Sequence, residues 1–347
     1  MSVRTVLVCE AQVPFVTGGA EAHVRQLVDA LRTRGYEAEL ISVPFTWNPK
    51  EEILAHAAAW RLLNLNESNG RRIDRVIATK FPTYFVRHEN KVAWLIHQHR
   101  AAYELCGTKY SDFSQVESDV GLRDKLIRLD TEMLGECRRI FANARNTAAR
   151  LTKFNGLHAE PLYHPPRLAT RLQPGPYGDY VLSVGRLETV KRVDLIIGAL
   201  TAAPDAIRVL VAGDGSQRAN LERLAVERGV DHRVTFLGTV QDDALVDLYR
   251  SALAVVYPPF DEDFGYVTLE GFLAEKPVIT CRDSGGPTEF VVDGENGFVC
   301  EPSAEAIGAA IARLASDRRL AATLGSAGRE VAGRITWDGV VEKLVEA

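Results

Sequence analysis

Cysteine is sparse and unpatterned in this chain of 347 residues: Cys9, Cys106, Cys137, Cys281 and Cys300 are scattered, odd in number and never spaced C-x-x-C. That argues against a disulfide frame and a cysteine zinc site, and predicts reduced packing residues in a cytosolic protein. No apolar run reaches membrane-spanning length, and residues 3–8 enter a strand pattern without signal-peptide character, so a cytoplasmic location is expected. The fingerprints G-x-G-x-x-G and G-x-x-x-x-G-K-[ST] are both missing, which argues against an NAD-dependent oxidoreductase and a P-loop ATPase. Also missing are short repeats, low-complexity tracts and a concentrated basic face with interleaved aromatics. Nucleic acid is therefore not an expected partner.

What is present is a globular composition, 46% hydrophobic and 25% charged, which sets disordered and fibrous classes aside. The length exceeds what a single core usually fills and favours two domains. Net charge is −5, unevenly spread: residues 1–165 hold 22 Lys+Arg against 19 Asp+Glu, and the rest hold 19 against 27. So mild a basic excess in the first half fits a solvated surface, an anionic acceptor or the inner face of a membrane.

Strand-like apolar runs alternate with helix-period segments, the signature of parallel βαβ units. In the first half, strands are expected at 3–9, 38–43, 75–79, 91–96 and 139–142, with helices at 20–34, 50–65 and 122–137. Pro161, Pro165, Pro166, Pro174 and Pro176 then interrupt the periodicity and mark a linker. A second series places strands at 180–185, 207–212, 234–237, 252–257 and 277–281, helices at 193–200, 218–228, 242–250 and 268–274, and a helical tail from 304. The expected fold class is α/β, with two Rossmann-like doubly wound domains facing across a cleft. Residues 1–165 form the first domain, 166–178 the hinge, 179–332 the second domain and 333–347 a last helix.

Candidate chemistry gathers at strand ends, where open α/β sheets bind ligands. Glu262 and Glu270 lie eight positions apart, one in the loop after strand 252–257 and one near a helix start. As an isolated pair they fit a solvated loop acid and first-turn dipole complementation better than chemistry, and the surrounding motifs reverse that balance. Arg186 and Lys191 follow the first strand of the second domain, where two cations would neutralise a diphosphate leaving group. Gly18 and Gly19 open the first helix, where amides suit a phosphate or merely form a tight turn. Gly213 and Gly215 end another strand, either as a tight turn or as close backbone approach to a base or ribose. His97 and His99 end strand 91–96. His97 suits contact with a transferred group, with structural hydrogen bonding as the alternative; metal binding is not expected, since no third ligand is near.

Taken in order, Gly18 to Glu21, His97, Val184 to Arg186 with Lys191, Ala212 to Gly215, Phe236 to Gly238, Glu262 with Phe264 and Gly265 through Glu270, and Gly285 to Glu289 resemble the family-4 retaining glycosyltransferases of the GT-B fold. The resemblance covers nearly the whole chain, and its specificity lies in the order and spacing of the motifs. It implies a hexosyltransferase that needs no metal and takes a nucleotide-diphosphate sugar, UDP- or GDP-linked, as co-substrate. The acceptor would be a glycan, a lipid-linked molecule or a small molecule, in polysaccharide or glycoconjugate synthesis. By resemblance, Glu262 binds donor-sugar hydroxyls, Arg186 and Lys191 grip the diphosphate, and Glu270 grips the ribose. The backbone at Phe264, Gly265, Tyr266 and Val267 approaches sugar or phosphate, and Gly213 and Gly215 line the donor. Gly18 and Gly19 face phosphate, and His97 lies near the transferred sugar. Trp337 matches the tryptophan where the family's last helix returns toward the first domain. The wording from His97 to Arg100, followed by an insertion-like stretch 101–113, departs from the family's commonest pattern, so acceptor identity is not carried over.

Three other readings are set beside transfer: a nucleotide-sugar epimerase, which would act on donor alone; a non-catalytic nucleotide-sugar-binding module; and, weaker, an oxidoreductase. Arginines in 122–137 and 138–153 fit either a solvated face or peripheral contact with lipid phosphates at a membrane surface.

Overall fold

The computed structural model describes residues 3–15 and 18–346. The chain divides into two units, Met1–Arg167 with Thr336–Ala347, and Leu168–Ile335. The first contains β1 (Thr5–Gln12), α1 (Gly19–Thr33), β2 (Glu37–Pro44), α2 (Ile53–Leu62), β3 (Glu67–Ser68), β4 (Arg71–Arg72), β5 (Arg75–Ala78), β6 (Lys91–Leu95), α3 (Glu117–Gly135), β7 (Arg139–Ala142), α4 (Arg145–Asn155) and β8 (Glu160–Pro161). Six strands pair in parallel in the order β2-β1-β5-β6-β7-β8, while β3 and β4 form a small antiparallel hairpin.

Buried parallel sheets need strands that are apolar on both faces. β1 meets that need, with Val6, Val8, Cys9 and Ala11 all fully buried. α1 buries Val24, Leu27, Val28 and Leu31, the i, i+3, i+4, i+7 stripe of a helix packed on one face.

The second unit contains β9 (Tyr180–Val184), α5 (Val193–Ala199), β10 (Arg208–Ala212), α6 (Arg218–Glu227), β11 (Val234–Gly238), α7 (Asp242–Ser251), β12 (Ala254–Val256), α8 (Tyr266–Leu273), β13 (Val278–Cys281), β14 (Gly297–Cys300), α9 (Ala304–Ser316) and α10 (Arg318–Gly333). Its sheet runs β11-β10-β9-β12-β13-β14, parallel throughout. That is the doubly wound order in which the strand sequence reverses between the first strand and the fourth. The α/β class expected from the alternation is therefore what both units adopt.

α11 (Trp337–Glu346) returns to the first unit, where Val340, Val341, Leu344 and Val345 join the core that α1 packs on. Arg34 Nε donates to Asp338 at 2.9 Å and Arg75 Nη1 to the Leu344 carbonyl at 3.0 Å.

Several local expectations shift. Residues 50–65 split into a 3-10 turn, Lys50–Glu52, and α2, which stops where Leu63 turns extended. α4 was not anticipated because 145–155 is largely polar; Gly156, in the left-handed region at φ 66°, ends it. The proline-bearing stretch after Arg167 is strapped onto the second unit. Leu168 and Leu172 are buried there, Lys276 Nζ donates to the carbonyls of Gly175 at 2.7 Å and Pro176 at 3.0 Å, and Tyr177 Oη donates to the Glu275 carbonyl at 2.8 Å. Among the described residues, no helix is long and apolar enough to cross a membrane.

Candidate functional site

In the second unit the reversal of strand order falls between β9 and β12, and the crevice beyond their carboxyl ends is where such a sheet takes a ligand. Two candidate residues meet there. Lys191 ends the 3-10 turn Thr189–Lys191 after β9, and Glu262 sits in the loop after β12. Their side chains form an ion pair that is mostly, not wholly, buried. Tyr257 joins them: its hydroxyl donates to Glu262 Oε2 at 2.8 Å and accepts from Lys191 Nζ at 3.3 Å. Burial, and then the Glu262 charge, push the Tyr257 phenol well above its ordinary range, so it stays a donor.

The loop that carries Glu262 is fixed from beneath by Arg192. This side chain donates from Nε to the Pro258 carbonyl and from Nη2 to the Pro259 carbonyl, each at 2.7 Å. It also clasps Asp283 through both terminal nitrogens, at 2.7 and 2.6 Å. The Glu262 amide donates to the Ser284 carbonyl at 2.9 Å and the Gly286 amide to the Glu262 carbonyl at 2.8 Å, so the loop and the turn after β13 are sewn together. A Cβ on Gly286 would lie 2.5 Å from the Asp263 carbonyl oxygen. Only glycine fits there.

Gly265 caps α8 with φ 81°, and a Cβ there would meet Pro287 Cγ at 2.9 Å. Tyr266 and Val267 follow as the first residues of α8. Phe264 is buried against Tyr266 and Phe290, with ring centroids 5.1 and 5.6 Å apart. Glu270 lies one turn into α8, where Tyr249 Oη donates to its Oε2 at 2.7 Å.

Other candidates fall into different surroundings. Arg186 is exposed just beyond β9. Gly213 and Gly215 owe their residue type to loop packing: a Cβ on Gly213 would lie 2.0 Å from the Gly185 carbonyl oxygen, and one on Gly215 would lie 2.7 Å from the Leu187 backbone. In the first unit, Gly18 caps α1, but its amide donates to Glu21 Oε2 at 2.9 Å, and Glu21 Oε1 accepts from Lys80 Nζ at 2.7 Å. Gly19 begins the helix beside it.

His97 and His99 lie past β6, which ends at Leu95, so the two-residue alternation of a strand does not extend to them. His99 packs between Phe81 and Phe113, both 5.8 Å away by ring centroid, and burial, with help from His97, lowers its pKa to about 4. His97 is only partly buried, with Nδ1 2.7 Å from the Gln98 carbonyl. Among the described residues, no group of three or more His, Cys, Asp or Glu is placed to hold a metal ion.

Sequence reasoning missed Tyr249, Tyr257 and Arg192. Each acts through a partner 21, 5 or about 70 residues away in the chain, and no spacing rule connects them. The one local signal was the tyrosine closing the apolar run of β12.

Residues 174–331 match the family described as Glycosyl transferases group 1. An uncharacterized glycosyltransferase of Methanocaldococcus jannaschii is 25% identical over 96% of this chain and 94% of its own. The D-inositol 3-phosphate glycosyltransferase of Nocardia farcinica is 30% identical over 63% of this chain and 54% of its own. Among solved structures, HepE of Anabaena in complex with UDP and glucose superposes with TM-score 0.74 at 17% identity, covering 99% of both chains. Sucrose-phosphate synthase of Thermosynechococcus elongatus gives 0.75 at 20%, covering 99% of this chain and 98% of the other. At such identities the structures establish a shared fold.

Proposed function

We propose that this chain, whose residues 174–331 match the family described as Glycosyl transferases group 1, is a retaining, metal-independent hexosyltransferase using a UDP- or GDP-sugar. Its acceptor is a glycan, a lipid-linked molecule or a small molecule, in polysaccharide or glycoconjugate synthesis. One observation carries the reading: Lys191 and Glu262, 71 residues apart, converge with Tyr257 at the strand-order reversal of the second unit. A cation there suits a departing diphosphate, and a carboxylate beside it suits sugar hydroxyls.

On this reading Lys191 and Arg186 bind the diphosphate, Glu262 holds the sugar, the amides that open α8 meet sugar or phosphate, and Glu270 takes the ribose. His97 is assigned to the transferred sugar, and Gly18 and Gly19 to phosphate or acceptor. The bond from the anomeric carbon to the diphosphate breaks as the acceptor oxygen bonds on the same face and passes its proton to the leaving diphosphate oxygen, while fixed positive groups stabilise the charge that develops there. Glu262 orients; it forms no bond to the sugar. HepE was solved with UDP-glucose, which makes that donor the first to try.

The test is incubation with a panel of UDP- and GDP-sugars, with and without acceptors, followed by NMR of the product's anomeric proton. Acceptor-dependent nucleotide release with retained configuration supports the proposal. An epimerised sugar from donor alone overturns it in favour of isomerisation.

A further inference from the structure

Tyr249 is fully buried near the end of α7, yet its hydroxyl reaches a partly exposed carboxylate on another helix, Glu270 of α8, at 2.7 Å. A buried phenol must find an acceptor, and a backbone carbonyl serves that need in most interiors. Here the acceptor is the second glutamate of the site. The first glutamate is treated alike, since Tyr257, also buried, donates to Glu262 Oε2 at 2.8 Å. Two buried phenols thus each hold one named oxygen of one site carboxylate.

We propose that Tyr249 is a positioning residue for nucleoside recognition: by fixing Oε2 of Glu270 it sets the carboxylate plane for a vicinal diol, the 2′,3′-hydroxyl pair of a ribose. The inference rests on the donor site proposed above. A diol needs an acceptor whose direction is set before the ligand arrives, because a glutamate that rotates must be ordered on binding. One hydrogen bond from a rigid ring removes that freedom. Burial, and then the nearby Glu270 charge, raise the Tyr249 phenol well above its ordinary range, so the donor persists at all working pH values. Tyr249 touches no substrate and acts only through Glu270.

Tyr249→Phe removes the hydroxyl and keeps the ring. Affinities for UDP and GDP, and for their 2′,3′-dideoxy counterparts, are measured by calorimetry on the wild type, Tyr249→Phe, Glu270→Gln and the double variant, each checked by its melting midpoint. The expected result is a loss of about tenfold for the ribose diphosphate in Tyr249→Phe, the size of a lost hydrogen bond to a charged group, with the dideoxy affinity unchanged. The KM for donor rises in step while kcat holds. The phenylalanine change should add little in the Glu270→Gln background, because positioning acts through that carboxylate.

Equal losses for both sugars, or none in a variant that melts normally, overturn the assignment and leave the donor site standing. Full additivity in the double variant does the same. A wild type that binds neither diphosphate overturns the donor site and this inference together.

Discussion

Lys80 and Glu21 meet at the strand-order reversal of the first unit, beyond β1 and β5, as Lys191 and Glu262 meet at that of the second, beyond β9 and β12. The residue types match; the surroundings do not. Glu21 turns its carboxylate back onto the Gly18 amide at the start of α1. Burial alone would push that carboxyl up, but Lys80 and the backbone donors outweigh it and hold it below its ordinary value. The Lys80–Glu21 side chains are 9% and 5% exposed, against 16% and 15% for Lys191–Glu262. The start of α8, by contrast, has no acidic residue in its first turn. Each unit thus carries a lysine–glutamate pair at its strand-order reversal, and neighbouring groups make the first pair the more deeply buried.

If this distinction holds, breaking each pair should have opposite consequences. Lys191→Ala and Glu262→Ala should each lower turnover by roughly 100-fold or more, the scale of losing one group that stabilises developing charge. Melting midpoints should fall less than when the first unit's more deeply buried pair is broken. Steady-state assays beside thermal scans would check both, and wild-type turnover in either variant would refute the site.

Lys80→Met should do the reverse, costing roughly 3–5 kcal/mol of stability by leaving a buried carboxylate without its cation. Denaturant titration reads this.

A third contrast is acid sensitivity. α1 carries His23, fully buried with neither ring nitrogen hydrogen-bonded, its ring 4.1 Å from Trp94 and 4.2 Å from His164 by centroid. Burial lowers His23 well below its ordinary pKa, and His164 to about 3. A depressed histidine binds its proton more readily once unfolded, so stability is complete above the unfolded pKa near 6.5 and falls as pH drops toward 3. At pH 5 His164 should cost about 2 kcal/mol, with His23 acting in the same direction. All four tryptophans, Trp47, Trp60, Trp94 and Trp337, belong to the first unit, so their fluorescence should report the acid transition earlier than the far-UV signal of the whole chain. Coincident transitions would place the sensitivity elsewhere.

The smallest effects separate the capping glycines. Gly265→Ala meets both a left-handed backbone and Pro287, and should cost about 2 kcal/mol with a loss of activity. Gly18 has φ −153° and only Glu21 Oε2, at 3.4 Å, near its Cβ direction, so Gly18→Ala should cost about 1 kcal/mol or less. Equal costs would erase the contrast.

Much of this architecture was legible in the sequence because parallel strands must be apolar on both faces, and runs such as Val181 to Val184 and Ala254 to Val256 announce themselves. β14 and α4 escaped because Gly297–Cys300 is short and Arg145–Asn155 is polar. The positions of Lys191 and Glu262 could be anticipated at strand ends. Their union through Tyr257, and the brace of Tyr249 on Glu270, could not, since these are contacts between elements set by tertiary packing. The glycines at 213 and 215 show the limit from another side: a sequence marks where a Cβ is unwelcome without saying whether a ligand or the chain itself lies there.

Arg192 has a further consequence. It holds a left-handed backbone at φ 51°, a conformation costing roughly 1–2 kcal/mol for a residue with a side chain, and from there it binds the loop after β12 and the turn after β13. Residues 192, 258–264 and 283–287 therefore constitute one interlocked unit, to be exchanged whole in any chimera. Moved singly, any of the three segments would arrive without the contacts that shape it.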